Sequence, residues 1–155
     1  MNLKPVAVSV AIVLISYVLV MGWLAAQPAT VGLSLGPANY SLRAEVASTE
    51  PARERGLMGR AQLPENAGML FVFNQTAPQT FWMAGTLLPL EILFINDTGA
   101  VVDIQEMAPC PSSNWSSCPR YVSAAPVRYA LEVNSGFASR HGLQVGQLVP
   151  APDTS

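Results

Sequence analysis

The chain holds 155 residues, room for one sizeable domain and not for two. Half of its residues are hydrophobic and 12% are charged, which excludes a disordered polyelectrolyte. Eight basic residues against ten acidic ones leave no electrostatic footprint for nucleic acid, and the single histidine, His141, excludes multi-histidine metal centres.

Much of the apolarity sits at the front. Residues 5–26 carry no charge, and only Ser9, Ser16 and Tyr17 break the apolar run. At about 1.5 Å per residue the segment reaches roughly 33 Å as a helix, enough for a hydrocarbon core of about 30 Å. Two outcomes stand open: a retained single-pass anchor and a cleaved signal peptide. A signal's apolar region runs about 7–15 residues and ends in an A-x-A-like site. This run is longer, and cuts after Ala26 or Ala25 place Leu24 or Trp23 three residues back. Trp23 and Tyr17 also suit a membrane interface. The anchor is the expectation. Lys4 precedes the span, so residues 1–4 form a cytoplasmic tip and the rest lies outside the cytoplasm. The alternative is a secreted or periplasmic chain.

Residues 27–39, rich in Pro, Gly, Ala and Ser, read as a linker that runs into a first strand at 31–35. A β-rich domain follows over residues 40–150, with a short tail at 151–155. YSLRAEVAS alternates Leu42, Ala44 and Val46 against Arg43 and Glu45, the pattern of a half-buried strand. Thr49, Glu50 and Pro51 then make a helix start, with Gly59 as the stop. GMLFVF, TFWMA and EILFIN are short strand-like runs parted by QTAP and GTLLP. Asp97, Thr98 and Gly99 lead from EILFIN into AVVDIQEM, the strongest hairpin signal in the chain.

Cys110 and Cys118 lie in PCPSSNWSSCPRY, too far apart for a CxxC redox or zinc motif. In an oxidising compartment they close a loop of nine residues, a disulfide that stabilises by roughly 2.5 kcal/mol. A pair of free thiols in a flexible loop is the other possibility. VRYALEVN then alternates Tyr129, Leu131 and Val133 against Arg128 and Glu132. SGFASRHG reads as a short helix stopped by Gly142, and GLQVGQLVP as a last short strand. The fold class is mostly β (α+β): a small antiparallel β domain or partly open barrel with one or two short helices.

RERGLMGR, GMLFVF, FWMAGTLLPLEILFIN and the cysteine loop together resemble the family catalogued as domain of unknown function 192. The resemblance runs over about residues 40–149. It implies a compact β-rich single domain, often exported, with no established activity. The family commonly carries Lys-Asn where this chain has Ala84-Gly85, and Asp where it has Glu91. A role that needs that lysine's charge does not carry over.

Six residues are candidates for a ligand surface: Arg55, Arg60, Trp82, Thr86, Glu91 and Trp115. Arg55 and Arg60 suit a carboxylate or phosphate, or else satisfy helix carbonyls and pair with Glu91 or Glu132. Arg53, two residues from Arg55, is expected to point elsewhere. Phe81 and Met83 share one face of their strand while Trp82 takes the other, to line a groove or to pack against Trp115. Thr86 belongs to the unusual Ala-Gly-Thr step beside them. The helix end, the FWM strand and the cysteine loop are expected to meet on one side of the domain.

Met58, Met69, Met83 and Met107 raise extracytoplasmic copper as a minor alternative, though isolated methionines on apolar strands are usually gap-fillers. Acid/base candidates are Glu91, Asp103, Glu106, Glu132 and His141, the last also suited to a cationic role at a helix end. No G-x-S-x-G, H-E-x-x-H or phosphate loop is present. The expectation is therefore a membrane-tethered extracytoplasmic domain, without cofactor or metal. It binds a small anionic ligand or a peptide without catalysis, or supports an envelope assembly. A hydrolase or transferase using a Glu/Arg pair is the alternative.

Overall fold

A computed structural model describes residues 28–111 and 114–149. The proposed anchor at 5–26 and the tail at 151–155 lie outside the described residues. Among those described, no helix is long and apolar enough to cross a membrane.

The apolar runs fold into β1 (Thr30–Leu35), β2 (Tyr40–Ala47), β3 (Ala67–Ala77), β4 (Thr80–Trp82), β5 (Leu90–Ile95), β6 (Val101–Met107), β7 (Arg120–Val122) and β8 (Val127–Asn134). Among the described residues two short helices, α1 (Glu50–Arg55) and α2 (Phe137–His141), accompany them with a single 3-10 turn at Trp115–Ser117. Six strands form one sheet in the order β1-β2-β3-β8-β5-β6, while β4 and β7 pair in a separate ribbon. β1 brings the residues from Thr30 into the sheet, so the folded unit begins ahead of Tyr40.

The sheet is open and mixed, neither a barrel nor wholly antiparallel. β2 and β3 run parallel, with Val46 opposite Leu70. The cause is the connection between them. Parallel neighbours need a crossover of a dozen or more residues, and the segment carrying α1 supplies it. The β5–β6 hairpin forms as expected, with the Asn96 carboxamide oxygen accepting from the Thr98 and Ala100 N–H groups in the turn.

α1 starts where its cap predicts, the Thr49 hydroxyl accepting from the Ala52 N–H. It stops three residues earlier than Gly59, at Gly56, whose φ of 47° ends the helical path and whose N–H donates to the Ala52 carbonyl. Leu57, 2% exposed, then anchors the following turn in the core. α2 stops at Gly142 as expected. GLQVGQLVP does not become a strand. A turn at Gly146 leaves only the bridge between Leu148 and Ala100, tucked beside the start of β6. The unforeseen strand is β7, three residues that pair with β4.

Both faces of the sheet are covered. On one, Leu33, Leu42, Leu70, Leu93 and Leu131 pack against Phe137 of α2. On the other, Met69, Phe71, Ile92, Phe94 and Ala130 pack against Leu57 and Met83. β5 is buried along its whole length for this reason. Each such fully buried Leu or Phe contributes about 1.5–3 kcal/mol. Met69, Met83 and Met107 all fill this second core, while Met58 sits half-buried above it.

Candidate functional site

Strand alternation places Glu132 of β8 on the second face, opposite Met69 of β3 and Ile92 of β5. The polar side of VRYALEVN would face solvent on a sheet with one covered face. Here α1 and the β4–β7 ribbon close over it, and Glu132 is 4% exposed. Among the described residues no hydrogen bond or ion pair reaches its carboxyl. Burial alone pushes it up to about 8, so at neutral pH it keeps its proton.

A cavity of about 220 Å³ opens over this carboxyl. Phe71 and Phe73 of β3 and Phe81 and Trp82 of β4 line it, with Thr86 beside them. Arg53, Glu54 and Arg55 of α1 lie on the same cavity. The phenylalanines lock one another edge to face, with Phe81 at 4.9 Å from Phe71 and 6.2 Å from Phe73 between ring centres. Glu132 marks the closed end, since Arg55 and Trp82 are exposed where it is not.

The arginines divide. Arg53, expected to point away, also lines the cavity. Its guanidinium donates to the Ser48 and Val72 carbonyls and lies 5.7 Å from the Phe73 ring centre. Arg55 stands exposed at the helix end. Arg60 pairs with neither Glu91 nor Glu132: it makes a two-pronged bond to Glu45 of β2, both contacts at 2.6 Å. That bond raises its pKa further and commits its fork away from the cavity.

Glu91 is the other displaced candidate. It points to the opposite face of the sheet, where its carboxylate oxygen accepts from the Ala138 N–H of α2 at 2.7 Å. Burial pushes it up to about 7, against the pull of that N–H, and neighbouring Glu106 raises it too. Glu106 is itself opposed by desolvation, yet bonds from the Ser135 hydroxyl and the Gly136 N–H help hold it below its ordinary range. The pair thus carries its proton on Glu91 and ties β5 and β6 to the β8–α2 corner, a structural role. His141 ends α2 with its ring stacked 3.8 Å from Tyr40.

The three segments expected to meet do so. The Gly59 N–H donates to the Gly85 carbonyl, and the Gly85 N–H donates to the Cys110 carbonyl, each at 3.0 Å. Gly85 has a φ of 66°, a left-handed conformation open to Gly. Cys110 and Cys118 are joined, with their Cα atoms 5.9 Å apart. Trp115 lies edge-on to Trp82 at 6.3 Å, and Arg120 covers the Trp82 ring at 4.3 Å. Of the six candidates, Arg55, Trp82 and Thr86 line the cavity, Trp115 braces Trp82, and Arg60 and Glu91 lie elsewhere. Among the described residues no cluster of three or more His, Cys, Asp or Glu is placed to hold a metal ion.

Residues 34–151 match the family described as DUF192, Uncharacterized ACR. Two solved structures are similar. One, from Sinorhizobium meliloti 1021 and named only provisionally as a transcription regulator, is 34% identical. It aligns over 79% of this chain and 92% of its own, with a TM-score of 0.67. The other, a protein of unknown function from Novosphingobium aromaticivorans, is 30% identical over 82% of this chain and 94% of its own, with a TM-score of 0.68. No curated protein matches the chain.

Proposed function

The chain belongs to the DUF192 family, and from that premise we propose a non-catalytic binding domain, tethered outside the cytoplasm by residues 5–26. Its site is the cavity under α1, and its ligand is a small molecule or one side chain of a peptide. A single observation carries this: a buried carboxyl without a polar partner, aimed into an aromatic-lined space. A compact apolar pocket with few polar groups is the usual form of a small-ligand site. An anionic group on the ligand finds Arg55 at the mouth, while Arg60, held by Glu45, takes no part. The regulator description belongs to the Sinorhizobium relative, and the net charge of −2 on this chain lends no support to nucleic-acid binding.

Ligand-detected NMR with a fragment library tests the site on the full-length chain. Hits are expected to compete for one position and to weaken in Trp82→Ala, whose melting temperature stays within a few degrees because Trp82 is 36% exposed. Fragments that ignore Trp82→Ala would place binding elsewhere. An acid that keeps its proton at neutral pH also suits proton donation, which favours the hydrolase or transferase reading second. Turnover abolished by Glu132→Gln would put that reading first. Fractionation with intact-mass measurement tests the tether: the chain is expected in the membrane fraction at full mass, and loss of about 25 residues on secretion refutes it.

A further inference from the structure

We propose that the closed end of the cavity is an amine site, in which Glu132, walled by Phe71, Phe73 and Phe81, takes the ammonium group of a ligand whose apolar body fills the space below Trp82. This rests on the pocket described above and names the ligand's chemistry.

The two ends of the cavity differ in polarity. Glu54 and Arg55 of α1 stand exposed at the mouth, while half-buried Arg53 is committed to the Ser48 and Val72 carbonyls and the Phe73 ring. Among the described lining residues that are buried, Glu132 is the one titratable group, with the buried Thr86 hydroxyl as a neutral neighbour on the wall. β3, β4 and β8 bring no other titratable side chain to the cavity. A carboxylate ionises in apolar surroundings only when a cation accompanies it, and no arginine on the wall fills that place. The rings around it favour the same charge. Aromatic faces attract cations and repel anions, and Arg53 already uses Phe73 in this way. An anion at the closed end would meet an acid in apolar, aromatic surroundings. An ammonium ion finds its counter-charge and its π surfaces together.

Size bounds the rest. A cavity of about 150 Å³ holds benzene. One of about 220 Å³ takes a ring with a short chain, or an aliphatic amine of similar bulk such as the end of a lysine side chain.

Protons must balance. In the empty site at pH 7 the carboxyl is protonated, whereas the bound amine is an ammonium ion facing a carboxylate. Each binding event therefore releases close to one proton from Glu132 to the buffer. Affinity is expected to rise almost tenfold per pH unit up to about pH 8 and then level until the amine itself loses its proton.

Calorimetric titration of the full-length chain, purified in neutral detergent, tests this with benzylamine, benzyl alcohol and benzoate. Benzylamine is expected to bind at least tenfold tighter than the alcohol, with benzoate weaker still. Its apparent heat at pH 7 should change between buffers of different ionisation enthalpy by the amount for one released proton. In Glu132→Gln the preference and the proton release disappear while the alcohol still binds. If the alcohol or benzoate binds as well as the amine, or no proton is released, the amine site is wrong and the pocket stands. If none of the three binds, both fall.

Discussion

Glu132→Gln is expected to flatten the pH dependence of stability and to make the empty domain more stable at pH 8. The folded domain holds the Glu132 proton up to about pH 8, whereas the unfolded chain releases it near 4.5. Between those values the native state binds one more proton than the unfolded state. Stability therefore falls as pH rises through the window, by about 1.4 kcal/mol per unit, and the full contribution is present only below the unfolded value. From pH 5 to pH 8 the loss is on the order of 3 kcal/mol, roughly 10 °C in melting temperature for a domain of this size. Gln keeps the shape and hydrogen-bonding capacity of the neutral acid and carries no charge at any pH. Glu91 adds a contribution of the same sign over a narrower window, up to about pH 7, which the substitution leaves in place. Glu106, held below its ordinary range, acts oppositely, stabilising at neutral pH and losing that contribution on strong acidification. Thermal melts of both proteins across pH 5–9 decide the matter. Parallel profiles would show that Glu132 is not the buried acid described.

Replacing both Cys110 and Cys118 by Ser is expected to cost roughly 2.5 kcal/mol, the entropy of leaving a nine-residue loop open in the unfolded chain. The more informative consequence is local. The Cys110 carbonyl receives the Gly85 N–H, and Trp115 within the loop braces Trp82 at the cavity mouth. Without the crosslink, ordering that loop must be done at the moment of binding, so ligand affinity should fall as well as stability. Urea unfolding measures the first effect, and near-ultraviolet circular dichroism follows the Trp82–Trp115 contact. A double variant that keeps wild-type affinity and an unchanged tryptophan signal would detach the loop from the site.

Local chemistry made much of this fold legible. The turn after Asn96, the Thr49 cap, the Gly142 stop and the cysteine pair each depend on a few adjacent residues, and each lies where their chemistry puts it. Strand direction has no such signature. The alternation in YSLRAEVAS is the same whether its neighbour runs parallel or antiparallel, so the β2–β3 pairing was not legible. Gly56 and Gly59 both adopt positive φ, and nothing local distinguishes the one that ends the helix. The arginines failed for a reason of distance. Arg60 meets Glu45 only because the crossover folds residues 15 apart onto one another. Glu132 was visible as an acid within an apolar strand. Its burial was not, because the cover comes from α1 and β4, far away in the chain.

The position of β8 has a bearing on how the molecule comes into being. In the sheet it lies between β3 and β5, though among the described residues it follows every other strand in the chain. Until β8 docks, the remaining strands of the sheet form two separate pieces, β1-β2-β3 and β5-β6, each with an unpaired inner edge. Only residues 127–134 join them, and the same strand carries the carboxyl of the cavity. A chain in which β8 has not docked presents two unpaired strand edges to one another and to other chains, the circumstance in which chaperones are most engaged. Long-range pairing of this kind also slows folding, so the step that completes the sheet is the one at which the protein is most open to aggregation.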